Sequence, residues 1–354
     1  MPPIRVLIVD DSVVARRALS DALSSVPEIE VIGTSSDGRL ALTRMAMVRP
    51  DVVTLDVEMP GMDGLETLTE IRKRYPEVKV IMVSSLTERA ARTTLDALTL
   101  GAVDCIAKPS GAPGAASFVQ IRELLIAKIL AFVPRPPTGV TRPPQRFEVK
   151  MSNSINVIAI GCSTGGPNAL TTLLQALPTP LPVPVVIVQH MPPVFTQQLA
   201  RRLAVVTNSD VAEAMEGEVL APGMVRIAPG DFHMTARRDG IFVKVALNRD
   251  NQENSVRPSV DVLFRSVAEA YGPHTIAVVL TGMGQDGLRG CQHLREVGAQ
   301  VVVQDEATSV VWGMPGFVAR AGLAHAVLPL DELGNEIMQR LRSRAGSGPT
   351  EGAP

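Results

Sequence analysis

Residues 158–167, IAIGCSTGGP, combine the sequence signals of a strand, a turn and a helix. Four successive apolar residues, 157–160, overlap the start of this stretch and are typical of a short buried strand. Gly161 then turns the chain, Ser163 lies at the tip of the turn, and Pro167 suits the first turn of a helix. We therefore expect a tight strand-to-helix loop that presents a serine hydroxyl beside the free N–H groups of the helix.

This loop is compatible with three kinds of site. Gly161, Ser163 and Gly165 match the pattern G-x-S-x-G, in which a serine nucleophile attacks and nearby amides stabilise a developing oxyanion. The same geometry also suits a bound phosphate, and a purely structural turn would have the same sequence. A nucleotide loop is less favoured because neither G-x-G-x-x-G nor a Walker lysine is present. The partners of the serine must come from other segments.

Bulk properties limit the class of protein. The 354 residues suffice for two or three domains, and a formal net charge of −2 favours no nucleic-acid partner. Cys105, Cys162 and Cys291 are isolated, so neither a disulfide framework nor a zinc site is indicated. Asp10 and Asp11 interrupt the first apolar run, which argues against a signal peptide. We expect a cytoplasmic monomer without direct membrane insertion.

The first third of the chain alternates short apolar segments with amphipathic segments of helical length. This alternation predicts an α/β domain in which helices cover both faces of a parallel sheet. In such sheets, functional groups collect beyond the carboxyl ends of the strands. The expected strands are Val6–Val9, Val31–Gly33, Val52–Leu55, Val80–Val83 and Val103–Ala107.

Polar residues follow four of these five expected strands. Asp10 and Asp11 follow the first strand, Asp56 the third, Ser84 the fourth and Lys108 the fifth. Three carboxylates at one edge would repel one another unless a cation joined them, and Mg²⁺ prefers oxygen ligands of this kind. Lys108 would supply positive charge to phosphoryl oxygens, and Ser84 a hydrogen bond. The pattern predicts a magnesium site that handles a phosphoryl group.

The same residues carry a resemblance to a known family. The segment LDVEMPGMDG, residues 55–64, resembles the phosphorylation segment of a response-regulator receiver domain, which has a flavodoxin-like fold. The resemblance implies that Asp56 accepts a phosphoryl group from a histidine kinase, and that Lys108 and Ser84 respond to the phosphate. It also implies a set of Mg²⁺ ligands, namely Asp10, Asp11, Asp56 and the carbonyl of Glu58. Cys105 departs from the family, which usually has Tyr or Phe at this switch position.

A change of composition predicts the domain boundaries. The segment VPRPPTGVTRPPQRF, residues 133–147, has five prolines and little apolar periodicity, as a semi-extended spacer does. We expect a receiver domain over residues 1–132, a Pro-rich linker over 133–153 and a second domain over 154–344. The polar, Gly/Pro-rich residues 345–354 are expected to be a disordered tail.

The second region is again α/β, and polar groups again follow its strands. Its apolar runs are Val157–Ile160, Val183–Val188, Val225–Ala228, Ile276–Leu280 and Val301–Val303. His190 follows the second run and Asp286 lies in the glycine-rich loop after the fourth. With Ser163 they form three strand-end loops that can meet at one edge of a parallel sheet. Serine attack needs an imidazole to remove its proton and a carboxylate to orient that imidazole.

Other residues compete for these roles. His233 also follows a strand and remains an alternative base, whereas Asp231 and Asp305 are alternative acids. Asp261 is better explained as an acidic residue at a helix N-terminus. The order serine, histidine, aspartate also differs from that of α/β-hydrolases, in which the aspartate precedes the histidine. A standard α/β-hydrolase is therefore disfavoured.

Six motifs in this region support a second resemblance. In chain order they are GCSTGGP, VIVQHMPPVFT, PGMVRIAPGDFHM, RPSVDVLFRSVA, LTGMGQDG and QDEATSVVWGMP. Together they resemble the chemotaxis protein-glutamate methylesterases, whose catalytic domain is Rossmann-like and is fused to a receiver. The resemblance implies that Ser163 is the nucleophile, His190 the base and Asp286 the orienting acid. It also implies that backbone amides near Thr164 and Met283 bind the oxyanion.

The second resemblance also implies a biological role. The expected reaction is hydrolysis of glutamate γ-methyl esters on chemoreceptors, activated by phosphorylation, with glutamine deamidation as a related activity. It resets chemotaxis signalling and needs Mg²⁺ only at the receiver, with no cofactor for the esterase step. The alternative is a phospho-regulated binding module whose esterase-like domain is inactive. Cys162 and Val256 depart from the family, which commonly has a smaller residue and a histidine at these positions.

Overall fold

The computed structural model describes residues 2–108, 115–132 and 154–342, with the backbone alone over 115–121. The chain forms two compact units, residues 1–138 and 139–354. The expected linker, 133–153, and the expected tail, 345–354, lie outside the described residues, so both remain predictions. No helix within the described ranges has the length and apolarity needed to cross a bilayer.

The first unit contains one parallel sheet with strand order β2-β1-β3-β4-β5. This order is that of the flavodoxin-like doubly wound folds, so the fold predicted for residues 1–132 is confirmed. Its strands are β1 (Ile4–Val9), β2 (Ile29–Ser35), β3 (Val52–Asp56), β4 (Lys79–Ser84) and β5 (Asp104–Ala107). Its helices are α1 (Val13–Ser24), α2 (Gly38–Val48), α3 (Gly64–Arg74), α4 (Glu88–Thr99) and α5 (Ala115–Ala131).

Local sequence signals start the helices of the first unit at the expected places. Ser12, Asp37, Asp63 and Thr87 stand at the N-caps of α1 to α4, and each side chain accepts a hydrogen bond from a backbone amide in the first turn. Asp63 also forms a capping box with Glu66. These caps follow the strand ends closely, so the polar residues between strand and helix stay at one edge of the sheet.

The second unit is built on seven parallel strands in the order β14-β13-β12-β6-β7-β9-β8. Its strands are β6 (Val157–Cys162), β7 (Val185–Gln189), β8 (Asp210–Glu213), β9 (Met224–Ile227), β10 (His233–Asp239), β11 (Phe242–Asn248), β12 (Thr275–Val279), β13 (Gln300–Gln304) and β14 (Ala326–Leu328). Its helices are α6 (Gly166–Gln175), α7 (Phe195–Thr207), α8 (Val260–Tyr271), α9 (Leu288–Glu296), α10 (Met314–Arg320) and α11 (Leu330–Arg342).

The strand order places β6 at the switch point of the second sheet. The chain winds from β6 to β7 on one side and later returns to β12 on the other. In register, Cys162 pairs with Gln189 of β7, and Gly161 pairs with Val279 of β12. The loops that follow β6, β7 and β12 are therefore neighbours at the carboxyl edge, in the crevice where such folds bind ligands.

One part of the second unit does not follow from the predicted alternation. Strands β10 and β11 form an antiparallel hairpin separate from the main sheet. The apolar side of the hairpin, which includes Met234, Ala236 and Val245, belongs to the same buried cluster as Phe264 of α8. The pair Asp239-Gly240 at the turn is a known hairpin signal and β11 is rich in apolar residues, but β10 has only two apolar residues, Met234 and Ala236.

Candidate functional site

The loop after β6 is held in place by backbone hydrogen bonds. The amide of Ser163 donates to the carbonyl of Thr281 (3.1 Å), and the Ser163 carbonyl accepts from the amide of Gly166 (2.8 Å). The same carbonyl accepts from the Gln189 side-chain amide (2.9 Å). Because Thr281 and Gln189 lie at the ends of the neighbouring strands β12 and β7, the sheet as well as its own loop sets the position of Ser163.

Two glycines allow the close approach that this arrangement needs. A Cβ atom on Gly282 would lie 2.9 Å from Cβ of Ser163 and 2.4 Å from the Met314 sulfur. A Cβ atom on Gly166 would lie 1.9 Å from Oε1 of Gln189. Either side chain would push the serine loop away from its neighbours, so both positions require glycine.

His190 is the first residue after β7 and lies beside the end of β6. Its amide donates to the carbonyl of Cys162 (3.1 Å), which places it next to Ser163 along the edge. Its Nε2 lies 2.8 Å from Oδ2 of Asp286. An Nε2–H that donates to this carboxylate leaves Nδ1 as the ring nitrogen that can accept a proton. Among the described residues no hydrogen bond joins the Ser163 hydroxyl to His190, a contact that often forms only with bound substrate.

Asp286 lies in the loop between β12 and α9, and its carboxylate contacts the N-terminus of α8. There it accepts hydrogen bonds from the first amides of that helix, as a capping residue does. The N-cap residue Ser259 makes no side-chain bond to its own helix, and its hydroxyl donates to Asp286 instead (2.8 Å). The Asp286 carboxylate accepts five further hydrogen bonds, from His190 Nε2, Asn254 Nδ2 and the amides of Val260, Asp261 and Gly287. A buried anion at this position also benefits from the helix dipole.

These donors determine the charge of Asp286. Burial by itself raises the pKa of this carboxyl, but the hydrogen bond and charge of His190 and the amides of Asp261 and Val260 together bring the pKa to about 2. The carboxylate is therefore ionised throughout the neutral range, as an acid that orients and stabilises an imidazolium must be.

The alternative base and acids lie elsewhere or have other partners. His233 is buried, its Nδ1 accepts from the Ser259 amide (3.2 Å), and its Nε2 faces the carbonyl of Asn251 (3.1 Å). Both ring nitrogens of His233 are thus occupied by backbone groups. Asp231 pairs with Arg257, and Asp305 accepts from the Thr308 amide and hydroxyl.

Asp261 occupies the first turn of α8, as the sequence predicts. Its carboxylate is buried and accepts from the Gly290 amide (2.6 Å) and from Asn254 Nδ2 (2.9 Å). Burial, and then the charge of Asp286, raise the pKa of Asp261. Asp261 therefore belongs to the surroundings of Asp286, and the carboxylate that contacts His190 is that of Asp286.

The two expected oxyanion donors lie in the loops after β6 and β12. Thr164 is buried next to Ser163, and its carbonyl accepts from the Thr281 hydroxyl (2.9 Å). Met283 is partly exposed, and among the described residues its backbone amide makes no hydrogen bond. An unused amide in the loop beside the serine is a suitable donor to a developing oxyanion. The roles of Thr164 and Met283 stay predictions.

Gln189 contributes to the site although the sequence gives little reason to select it. Its side chain is buried, its Nε2 donates to Ser163, and its Oε1 accepts from the Cys162 thiol (3.0 Å). Burial raises the pKa of the Cys162 thiol, so the sulfur keeps its proton and acts as the donor. The unusual Cys162 thus orients the glutamine that holds the serine loop. The only sequence signal was that Gln189 precedes a strand-end histidine.

In the first unit, the strand-end carboxylates converge. One carboxylate oxygen each from Asp10, Asp11 and Asp56 lies within 4.8 Å of the others. Lys108 Nζ lies 2.6 Å from Asp56 Oδ2 and 2.9 Å from Asp10 Oδ2. Asp10 and Asp56 are buried whereas Asp11 is exposed, so the cluster opens to solvent on one side. Clustered carboxylate oxygens with an open side fit Mg²⁺, which keeps several waters and bridges to phosphate.

The remaining receiver residues lie around Asp56. Burial raises the pKa of Asp56, and the Lys108 ammonium opposes that rise. The Glu58 amide faces Asp56 Oδ1 at 3.4 Å, and the carbonyl of buried Ser84 accepts from the Lys108 amide (2.6 Å). Cys105 is buried in β5, and burial raises the pKa of its thiol to about 12. A neutral thiol therefore fills the place of the usual aromatic ring.

Comparisons with known proteins agree with both parts of this description. Residues 158–337 match the family model described as CheB methylesterase, and residues 6–115 match the response regulator receiver domain. A protein-glutamate methylesterase/protein-glutamine glutaminase of Nocardioides sp. is 51% identical over 96% of this chain and 96% of its own length. A protein of the same description from Trichodesmium erythraeum is 49% identical over 96% of this chain and 100% of its own.

A solved structure extends the likeness to the fold. The CheB methylesterase catalytic domain of Thermotoga maritima is 42% identical, with a TM-score of 0.52 over 52% of this chain and 98% of that one. The first unit matches the receiver domain and the second matches the catalytic domain, and the full-length relatives combine the two in one chain. This chain belongs to the CheB methylesterases that carry an N-terminal response-regulator receiver domain.

Proposed function

We propose that this protein hydrolyses the γ-methyl esters of glutamate side chains on chemoreceptors, deamidates glutamine side chains by the same chemistry, and is activated by phosphorylation. The observation that carries the esterase proposal is the His190–Asp286 pair, 2.8 Å apart, at the sheet edge where Ser163 lies. The relatives described as protein-glutamate methylesterase/protein-glutamine glutaminase support the choice of substrate. The site alone indicates acyl transfer to serine.

The first half of the reaction forms an acyl-enzyme. The Ser163 oxygen attacks the ester carbonyl carbon while its proton passes to Nδ1 of His190, since Nε2 is engaged by Asp286. The ionised Asp286 stabilises the imidazolium, and the amides of Thr164 and Met283 donate to the oxyanion. Collapse of the tetrahedral intermediate breaks the bond to methoxide, which leaves as methanol with the proton from His190.

The second half releases the product. His190 removes a proton from water, the resulting hydroxide attacks the acyl carbon, and Ser163 leaves with the proton returned by His190. The product is a glutamate carboxylate, and with a glutamine substrate the first leaving group is ammonia instead of methanol. Substrate, serine, imidazole and water together supply every atom and proton that moves, so the esterase step is proposed to need no cofactor.

At the receiver we propose that Asp56 accepts a phosphoryl group from a chemotaxis histidine kinase. Asp10, Asp11, Asp56 and the Glu58 carbonyl would hold Mg²⁺, which supplies positive charge for the transferred phosphoryl group. Lys108 Nζ, 2.6 Å from Asp56 Oδ2, is placed to contact the phosphoryl oxygens. Ser84, at the end of the neighbouring strand, would donate its hydroxyl to the phosphate.

We further propose that the receiver inhibits the esterase until Asp56 is phosphorylated. A tether of about twenty residues keeps the effective concentration of one domain near the other in the millimolar range, so a weak interface suffices. Phosphorylation adds charge that the loops of Ser84 and Lys108 must accommodate, which shifts the equilibrium between covered and open states. The protein would act as a cytoplasmic monomer on methylated chemoreceptors, without nucleic acid and without inserting into the membrane.

A phospho-regulated binding module with an inactive esterase-like domain is the competing hypothesis. The carboxylate of Asp286 also caps α8, but binding alone does not explain why an imidazole contacts that carboxylate at the sheet edge where Ser163 lies. Among the described residues the Met283 amide makes no hydrogen bond, so it can donate to an oxyanion formed at the neighbouring serine. These observations favour the enzyme.

Replacing the nucleophile tests the enzymatic proposal. Ser163→Ala should lower methanol release from methylated receptor by about 10⁴-fold or more, because the proposed acyl-enzyme forms on the Ser163 hydroxyl. Ser209→Ala is the matched control, since Ser209 precedes β8 at the opposite edge of the sheet. Activity of Ser163→Ala within tenfold of the control would exclude the esterase assignment.

The choice of base is tested by two histidine variants. His190→Ala should reduce turnover nearly as much as loss of the serine, because members of such a unit act together. His233→Ala should be at least about a hundredfold less damaging, since both His233 nitrogens face backbone groups. Methanol release of both variants, with circular dichroism to verify folding, makes the comparison. A more severe loss in His233→Ala would identify His233 as the base.

Phosphorylation of the receiver should require Mg²⁺ and Asp56. A small-molecule phosphoryl donor should label the full chain only with Mg²⁺ present, and Asp56→Asn should remove the label. Asp11→Asn should raise the Mg²⁺ concentration needed by about tenfold, whereas the remote Asp21→Asn should leave it unchanged. Intact-protein mass spectrometry gives the readout. An unchanged phosphate signal in Asp56→Asn would contradict the assignment.

Inhibition by the receiver is tested with residues 152–346 alone. The corresponding domain of the Thermotoga maritima protein has a solved structure of its own, which supports a stable fragment. Without a phosphoryl donor, the fragment should release methanol faster than the full chain, because nothing covers its site. The full chain should approach the fragment once a donor and Mg²⁺ are added. If the fragment is no faster, phosphorylation acts on catalysis or docking instead of uncovering the site.

A further inference from the structure

A two-residue turn lies between β11 and α8, directly beside the catalytic carboxylate. Glu253 and Val256 exchange backbone hydrogen bonds of 3.2 and 3.1 Å across it. The central residues, Asn254 and Ser255, have φ of 54° and 62°, both in the left-handed region. This is the geometry of a type I′ turn, which favours asparagine. The two Glu253 carboxylate oxygens accept from Arg265 at 2.7 and 2.6 Å, which anchors the turn to α8.

The turn places one side-chain amide between two buried carboxylates. Asn254 Nδ2 donates to Oδ2 of Asp261 (2.9 Å) and to Oδ1 of Asp286 (2.8 Å). Both carboxylates are almost fully buried, with exposures of 1% for Asp261 and 3% for Asp286. An amide nitrogen has two hydrogens, so both are used, one for each acid.

The two acids compete for ionisation. Burial and the charge of Asp286 raise the pKa of Asp261, whereas the pKa of Asp286 is about 2. Like charges this close destabilise each other unless a donor lies between them. Within the described residues, the other titratable or charged groups around the pair are His190 after β7, His233 on β10, Glu253 in the turn, Arg265 on α8, and Arg289 and Cys291 on α9.

From this geometry we infer that Asn254 is a positioning residue for the His190–Asp286 pair: its amide donates one N–H to each buried acid and so holds Asp286 in the orientation in which it contacts His190. The inference rests on the proposed esterase function, in which His190 is the base.

The variant Asn254→Gly tests the side-chain amide without changing the backbone conformation of the turn. Glycine accepts the left-handed conformation of the turn, so the variant loses the side chain and keeps the fold. Asn208→Gly is the matched control, because Asn208 is also left-handed (φ 49°) but is an exposed residue at the end of α7. Asn254→Asp adds a third carboxylate and should be the most damaging of the three changes.

The first measurement is kcat/KM for methanol release as a function of pH, made on the phosphorylated full chain. Asn254→Gly should lose about tenfold at neutral pH, the effect of one hydrogen bond to a charged group. Its acid limb should also move to higher pH, because without the hydrogen bond from Asn254 the pKa of Asp261 rises and this neighbour of Asp286 takes up a proton more readily. A profile that coincides with that of Asn208→Gly in height and position would overturn the inference.

The second measurement does not depend on activity. With ¹³C-labelled aspartate, the carboxyl signal of Asp261 should titrate in Asn254→Gly at a higher pH than in the unmodified chain and in Asn208→Gly, because the hydrogen bond from Asn254 lowers the pKa of that acid. An unchanged midpoint would overturn the inference even if turnover fell. If the unmodified chain released no methanol, the proposed function would fail, and this titration would still decide the role of Asn254.

Discussion

The structure of the second unit depends on a buried carboxylate. Removing Asp286 from water costs several kcal/mol, and six hydrogen-bond donors together with a helix N-terminus offset that cost. Five donors come from the loop after β7, the turn before α8 and the start of α8, and the sixth is the adjacent Gly287 amide, so one anion joins segments that are distant in sequence. The charge that we propose orients the imidazole is thus also bonded to the segments that form this edge of the domain.

Both units use the same edge of a parallel sheet for different chemistry. In the first, the strand ends bring carboxylates together, and a cation and Lys108 must balance them. In the second, they bring together a serine, an imidazole and one carboxylate whose charge the protein balances with its own amides. The difference lies in which residue follows each strand, because the alternation of strands and helices is the same.

Much of this was predictable from sequence. The positions of Ser163, His190 and Asp286 follow from where apolar runs end, and a parallel sheet brings those ends to one edge. The hairpin β10–β11 was not predicted, because β10 has few apolar residues and the hairpin is stabilised by packing against α8. Asn254 contacts Asp286, which is 32 positions away, and Gln189 contacts Ser163, which is 26 positions away. The sequence pattern around each residue does not reveal contacts over such separations.

The central claim is that Ser163 is a nucleophile activated by His190, and covalent labelling tests it most directly. The full chain and His190→Ala would be treated with an activated fluorophosphonate and the modified peptide located by mass spectrometry. We expect a single adduct, on Ser163. It should form far more slowly in His190→Ala than in the unmodified chain. No adduct, an adduct on another residue, or equal rates in the two proteins would contradict it.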